Sequence, residues 1–282
     1  MAELLVLTKL SLRRQLVRTR FFVALLVTAA CVVLCFRKVP LVLAEQGMRI
    51  HGAEPFLMLF SDCFPQLFLL LSFLLLAGDV PFCHDGMEYV VTRSGKRKWL
   101  LAQLCALLGM TLIWLLWTLL CSIVVFRGFV DFSGKWSTFT KLIARNLGQL
   151  RIESFGFELG VHPSANMIGT AGPYGMLALS FLLELLLFAD IGAWCMALNL
   201  WTRRSYGCAL TVSFWLLRFG LQLNLSLYSL NRFSPLSLAD VHTAPMTGAR
   251  IAWVLGFFLA QIVPLLVLSL RRVRMIDLTK LR

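Results

Sequence analysis

The chain alternates long apolar runs with short charged segments, and the runs have the length that a bilayer demands. A helix of about 20 apolar residues crosses roughly 30 Å of hydrocarbon. Six stretches meet or approach that length, at about 19–38, 56–78, 99–126, 174–199, 206–226 and 250–270. The first is the weakest, with an uninterrupted core only from Phe21 to Phe36. Several arginines precede it and no A-x-A cleavage site follows, so it reads as a retained anchor. Of all residues, 15% are charged, against about 25% in a soluble protein. The expected fold is all-α, a single polytopic transmembrane domain of six transmembrane helices over 1–282.

The net charge of +13 raises the question of nucleic acid, and its distribution answers it. Lys9, Arg13, Arg14, Arg18 and Arg20 precede or open the first span. Arg93, Lys96, Arg97 and Lys98 follow the second, Arg203 and Arg204 follow the fourth, and Arg271, Arg272, Arg274, Lys280 and Arg282 follow the sixth. In a six-span chain all four segments fall on one side. They hold 16 of the 27 basic residues. The positive-inside rule then places both termini in the cytoplasm of a cell-membrane protein. The basic excess reads as topology and attraction to anionic lipid, not as a nucleic-acid surface. The eight cysteines lie in or at the edges of spans, except Cys83 in an inner segment. That is no extracellular disulfide framework.

Between the spans the chain is brief. Residues 1–18 read as an interfacial helix on the inner leaflet, with Leu5, Leu12 and Leu16 on one stripe and Arg14 and Arg18 opposite. Residues 39–55 form a short outer loop. Residues 127–173 form the large outer loop, with a surface helix in "FTKLIARNLGQL" and a Gly- and Pro-marked entry to the fourth span. Residues 227–249 are half-apolar and suit short broken helices at the membrane edge, where protein covers the backbone.

Motif absences narrow the chemistry. No G-x-x-x-x-G-K-[ST] phosphate loop, H-E-x-x-H zinc pattern or G-x-S-x-G elbow occurs in the sequence, so neither nucleotide hydrolysis by that route nor those hydrolases are expected. Cys83-His84-Asp85 is not a prebuilt site, because consecutive helical neighbours point in different directions. No catalytic residue, metal or cofactor is expected.

Ionisable residues inside spans are costly, and by default paired or functional. Four stand out: Asp62, Glu184, Asp190 and Arg218. Glu184 and Arg218 fall at similar depths, about 16 and 12 Å from the outer ends of adjacent antiparallel spans, counting about 1.5 Å per residue. That makes them candidates for an ion pair, with Asp62 as the competing partner.

The inner segment 79–98 contains "GMEYVVTRSGKRKW", a compact charged piece that runs straight into the third span. It resembles the inner segment of ABC-2-type transporter permeases: an acidic residue, a short apolar helix, a turn, a basic residue, then the third span. Glu88 occupies the acidic position and Arg97 or Lys98 the basic one. Ser94-Gly95 stands where that family often has Pro. The basic N-terminal helix, the six spans and "SPLSLADV" before the last span are similar to the family's order of features. The resemblance implies a coupling helix that contacts a separate ABC ATPase subunit through Asp85, Glu88, Tyr89, Val90, Val91, Arg93 and Arg97. It also implies a second permease copy or homologous permease as partner, and export of a peptide, lipid-linked or drug-like substrate. The competing expectation is a membrane sensor or immunity protein that binds a toxin or peptide through its outer loops and transports nothing.

Overall fold

The computed structural model describes residues 2–61, 63–82, 87–144, 165–202, 207–223, 234–242 and 244–275. The protein is a helical bundle with a small cap at one end. Among the described residues, four helices are long and apolar enough to cross a membrane: α2 (Thr19–Phe36), α7 (Lys96–Val124), α10 (Pro173–Thr202) and α13 (Gly248–Met275). Two shorter apolar helices, α5 (Cys63–Ala77) and α11 (Gly207–Leu223), complete the bundle. The remaining helices are α1 (Ala2–Leu16), α3 (Val39–Gln46), α4 (Glu54–Leu59), α6 (Met87–Ser94), α8 (Thr138–Ala144), α9 (Ala165–Thr170) and α12 (Pro235–Ala239).

The long helices lie where the apolar runs are. The stretch 56–78 differs. It divides into α4 and α5, and α5 alone, at 15 residues, rises about 22 Å. Pro65 sits in the first turn of α5, where a missing N–H costs nothing. Residues 39–55 also hold more order than a loop. Helix α3 ends at Gly47, whose φ of 61° closes the left-handed cap that a side chain would disfavour.

Helices α2, α5 and α7 meet at a buried polar node. The Trp114 indole N–H donates to Thr28 Oγ1 (2.8 Å) and Ser72 Oγ (3.2 Å). The two hydroxyls lie 2.6 Å apart and share the Ala24 carbonyl as acceptor. Every polar atom in the node therefore has a partner, which a low-dielectric interior requires. Phe73 and Phe188 pack on the Trp114 ring at 5.5 and 4.6 Å between centroids. On the far side of α7, Leu108, Leu112, Leu116 and Leu120 form an outward column, one per turn. An apolar column of that length suits hydrocarbon rather than water.

Helix α1 packs along the first half of α7. Its inward face departs from the expected leucine stripe. Ser11 and Gln15 are buried, and the Gln103 amide donates to Ser11 Oγ (3.1 Å). Leu12 and Leu16 join the packed face, but Leu5 is 69% exposed. The outward side of α1 carries Leu5, Val6 and Leu10 beside Lys9, Arg13 and Arg14. That mixture fits a surface of apolar tails and anionic headgroups.

At the other end of the bundle, β1 (Ile50–His51) and β2 (Val130–Asp131) pair in parallel. They join the chain after α3 to the chain after α7. The segment "SPLSLADV" forms α12 and its exit, and residues Leu236 to Val241 are all buried. His242 holds the segment in place: its Nε2 lies 2.9 Å from the Leu57 carbonyl, and its backbone N–H donates to Asp240 Oδ1 (2.8 Å).

Candidate functional site

The end of the bundle that carries Lys96, Arg97 and Lys98 is built around a corner between α6 and α7. Gly95 makes the corner, with φ at 85°, a conformation that costs glycine nothing and other residues much. Ser94 Oγ donates to the Val90 carbonyl (2.7 Å) and the Gly95 N–H to the Val91 carbonyl (2.8 Å), so α6 closes before α7 begins. Val91 and, just inside α7, Trp99 are buried. Val90 is half-buried, and Arg93 and Arg97 are exposed. Tyr89 is 82% exposed. The short helix therefore hangs on an apolar anchor and presents an aromatic ring outward. The Glu88 backbone lies in α6, while its side chain, like Asp85 as a whole, lies outside the described residues.

Ion pairs tie this corner to its neighbours. Lys98 Nζ is 2.6 Å from Glu3 at the start of α1, and that hydrogen bond draws the Glu3 carboxyl below its ordinary range. Arg20, in the first turn of α2, pairs with Asp79 just beyond α5. Lys96 Nζ reaches the Arg274 carbonyl at the end of α13 (3.4 Å). The Arg272 guanidinium stacks over Trp201 at 5.6 Å, within cation–π range. An open groove of about 540 Å³ runs between Ser94 to Lys98 and Arg274. These exposed pairs contribute little to stability individually. Their effect is to set the register of α1, α7 and α13 at one level.

Behind the corner lies a junction that sequence reasoning missed. Asn199, near the end of α10, is buried. Its amide donates to the carbonyls of Gly78 and Val80 (both 2.8 Å), and its Oδ1 accepts from the Gly207 N–H (3.2 Å). One side chain thus fastens the exit of α5 and the entry of α11 to α10. Glycines permit the close approach. A Cβ at Gly78 would lie 2.6 Å from Cys208 Sγ and 2.7 Å from the Leu74 carbonyl oxygen. A Cβ at Gly207 would overlap Cys195 Cα and lie 3.0 Å from its Cβ and its carbonyl oxygen. The signal available in sequence was a polar amide at a span end beside glycines at both flanking span ends.

The intramembrane ionisable residues do not converge into one described cluster. Glu184 is fully buried and Asp190 nearly so, both on α10. Asp190 Oδ1 has no hydrogen-bond partner among the described residues. Arg218 lies in α11, with its side chain outside the described set, as is the whole of Asp62. Helices α10 and α11 pack side by side. A pairing of Glu184 with Arg218 gives a clear expectation. Glu184→Gln and Arg218→Gln should each lower thermal stability, and the double variant should recover about 1 kcal/mol or more of the summed loss. Additive losses in a melting series of the four proteins would rule the pair out.

At the strand end the site chemistry centres on Glu54. Its buried carboxylate accepts from the His51 N–H (3.0 Å), the Ser137 N–H (2.7 Å), Ser137 Oγ (2.6 Å) and Thr140 Oγ1 (2.8 Å). A carboxylate has only acceptors and all four partners donate, three to Oε2 and one to Oε1, so both oxygens are engaged. It fixes the start of α8 against β1 across more than 80 residues of sequence. Among the described residues no group of three or more His, Cys, Asp or Glu is placed to hold a metal ion, and six cysteines are free thiols.

No protein-family model, curated protein or solved structure matches this chain.

Proposed function

We propose that the chain is a membrane-embedded transport subunit worked by a separate ATPase. More narrowly, it is the permease of an ABC-2-type exporter. In this reading α5 and α11 serve as the second and fifth of six spans, and the basic end with both termini faces the cytoplasm. The permease acts as a pair with a second copy or a homologue. Its cargo is a peptide, a lipid-linked molecule or a drug-like compound.

One observation carries the reading. Helix α6 is a separate short helix, set off by Gly95, anchored by Val91 and led by an outward Tyr89. A helix mounted in this way moves as a rigid body with α7. Its mixed charges suit a specific, reversible contact, and an exposed aromatic is a common energetic centre of such contacts. The Asn199 junction ties the exit of α5, the helix that precedes α6, to α10 and α11.

The test is retention of an ATPase with Walker motifs by the tagged full chain, solubilised from its native membrane. Tyr89→Ala and Glu88→Arg should each cut retention about tenfold or more, as loss of an interface centre does. Retention equal to wild type in both variants, or no ATPase at all, would sink the proposal. The second outcome would favour the sensor or immunity reading, which draws on the ordered cap around Glu54 at the opposite end.

A further inference from the structure

The cavity beside the two strands is lined by a residue with a buried donor that has no acceptor among the described residues. His51 is 1% exposed. Its Nδ1 accepts the Ala53 backbone N–H (3.2 Å), so Nδ1 carries no proton and Nε2 carries it. That Nε2–H has no hydrogen-bond partner among the described residues. Burying a donor without an acceptor costs about 1–3 kcal/mol, and such a group calls for an explanation. Tyr174 packs edge-to-face on the imidazole at 4.7 Å between centroids, and its own hydroxyl is committed as a donor to the Phe132 carbonyl (2.9 Å).

His51 lines a cavity of about 350 Å³ together with Arg49, Asp131, Ser133, Lys135 and Trp136. The two cations outnumber the single carboxylate. Asp131 is also partly spoken for. It accepts the Ser133 N–H (3.1 Å), and the Ser133 hydrogen bonds with the nearby Arg49 charge hold its carboxyl below the ordinary range. Glu54, the other acid nearby, has both carboxylate oxygens engaged by His51 N–H, Ser137 and Thr140. The cavity thus offers one fixed neutral donor and two flexible cations.

We propose that this cavity binds an oxyanion of the phosphate class, gripped by His51 Nε2–H, Arg49 and Lys135. A phosphate has acceptor oxygens enough to take the imidazole N–H and both cations at once, and hydrogen bonds from cations to phosphate are the strong kind. The cap is held rigid from behind by Glu54, so His51 meets the ligand already oriented. The phosphate is either a dissolved anion or a lipid headgroup at the bundle's end. The site stands apart from the permease reading, since it uses none of the α6 residues.

Trp136 reports on the site. Its indole lines the cavity and is fixed by a hydrogen bond to the Ala171 carbonyl (2.9 Å). The purified full chain in uncharged detergent, and in phosphatidylcholine nanodiscs, is titrated with inorganic phosphate at ionic strength held constant with KCl. A second set of nanodiscs contains phosphatidylglycerol. A saturable change in tryptophan emission is expected in one arm or the other. A response to inorganic phosphate assigns a dissolved anion, and a response only to phosphatidylglycerol assigns a headgroup. Arg49→Gln and Lys135→Gln, both exposed positions, should each weaken binding about tenfold, and Asp131→Asn should tighten it. His51→Phe keeps the shape and should abolish it. Silence in both arms overturns the site, as does binding unchanged in Arg49→Gln and Lys135→Gln.

Discussion

Gly207→Ala should lower the melting temperature of the detergent-solubilised protein by about 6–12 °C. The added methyl meets the backbone of Cys195 rather than the tip of a side chain, so no rotamer change relieves it. Helices α10 and α11 must separate, and overpacking of this kind costs about 3 kcal/mol. For a chain of this size each kcal/mol is worth about 2–4 °C. The same shift would stretch the hydrogen bond from the Gly207 N–H to Asn199 and loosen the fastening of α5. Gly256→Ala is the control, because nothing lies within 4 Å of a Cβ built there. Replacing a helical glycine by alanine in open space is neutral or mildly stabilising. Equal melting of the two variants would show that the α10–α11 contact is looser than described.

Glu54→Ala should be the most damaging polar substitution at the strand end. It leaves the His51 and Ser137 backbone N–H groups without an acceptor, and two hydroxyls must find new partners. Each buried orphan costs about 1–3 kcal/mol, so a total of about 3–5 kcal/mol is expected. Glu54→Gln should fall between, because the amide keeps one acceptor oxygen and the hydroxyls can rotate to accept from its NH2. The local readout is limited proteolysis. Cleavage between Val130 and Ala144 should accelerate in the order Glu54→Ala, Glu54→Gln, wild type. Identical cleavage and melting in all three would mean that the carboxylate does not hold the cap.

The long helices were legible because their signal is local. An apolar run of 20 or more residues has few ways to satisfy its backbone other than a helix, and α2, α7, α10 and α13 follow the runs closely. The corner at Gly95 was legible for the same reason, since a Ser-Gly pair between two periodic segments marks a boundary. The division of 56–78 was not read from the sequence, which gives one span there, although Pro65 and the polar Ser61-Asp62 before it mark a helix start inside the apolar stretch. The face of α1 was not legible from hydrophobicity alone. In a helix packed along α7, Ser11 turns inward to meet Gln103, Gln15 is buried beside it, and Leu5 turns out.

The polar junctions were not legible, and the reason is distance along the chain. Glu54 in "HGAEPF" looks like an ordinary loop acid, because Ser137 and Thr140 lie more than 80 residues away. Asn199 looks like a polar span end, because its partners at Gly78 and Val80 are about 120 residues distant. Pairing of that kind is a property of the assembled bundle, and a single sequence holds only the residue types.

The parallel pairing of Ile50 and His51 with Val130 and Asp131 has a bearing on how the protein is made. Several fastenings are closed within residues 2–144: Glu3 to Lys98, Arg20 to Asp79, Ser11 to Gln103, the Thr28–Ser72–Trp114 node, the strand pair, and Glu54 to Thr140. A ribosome that has delivered α8 has therefore supplied both members of each of these pairs. The first three apolar helices can latch together while α10 is still unsynthesised. The later helices then dock onto that surface, first through the side chain of Asn199 and afterwards through His242 on the Leu57 carbonyl and the Arg274 carbonyl on Lys96.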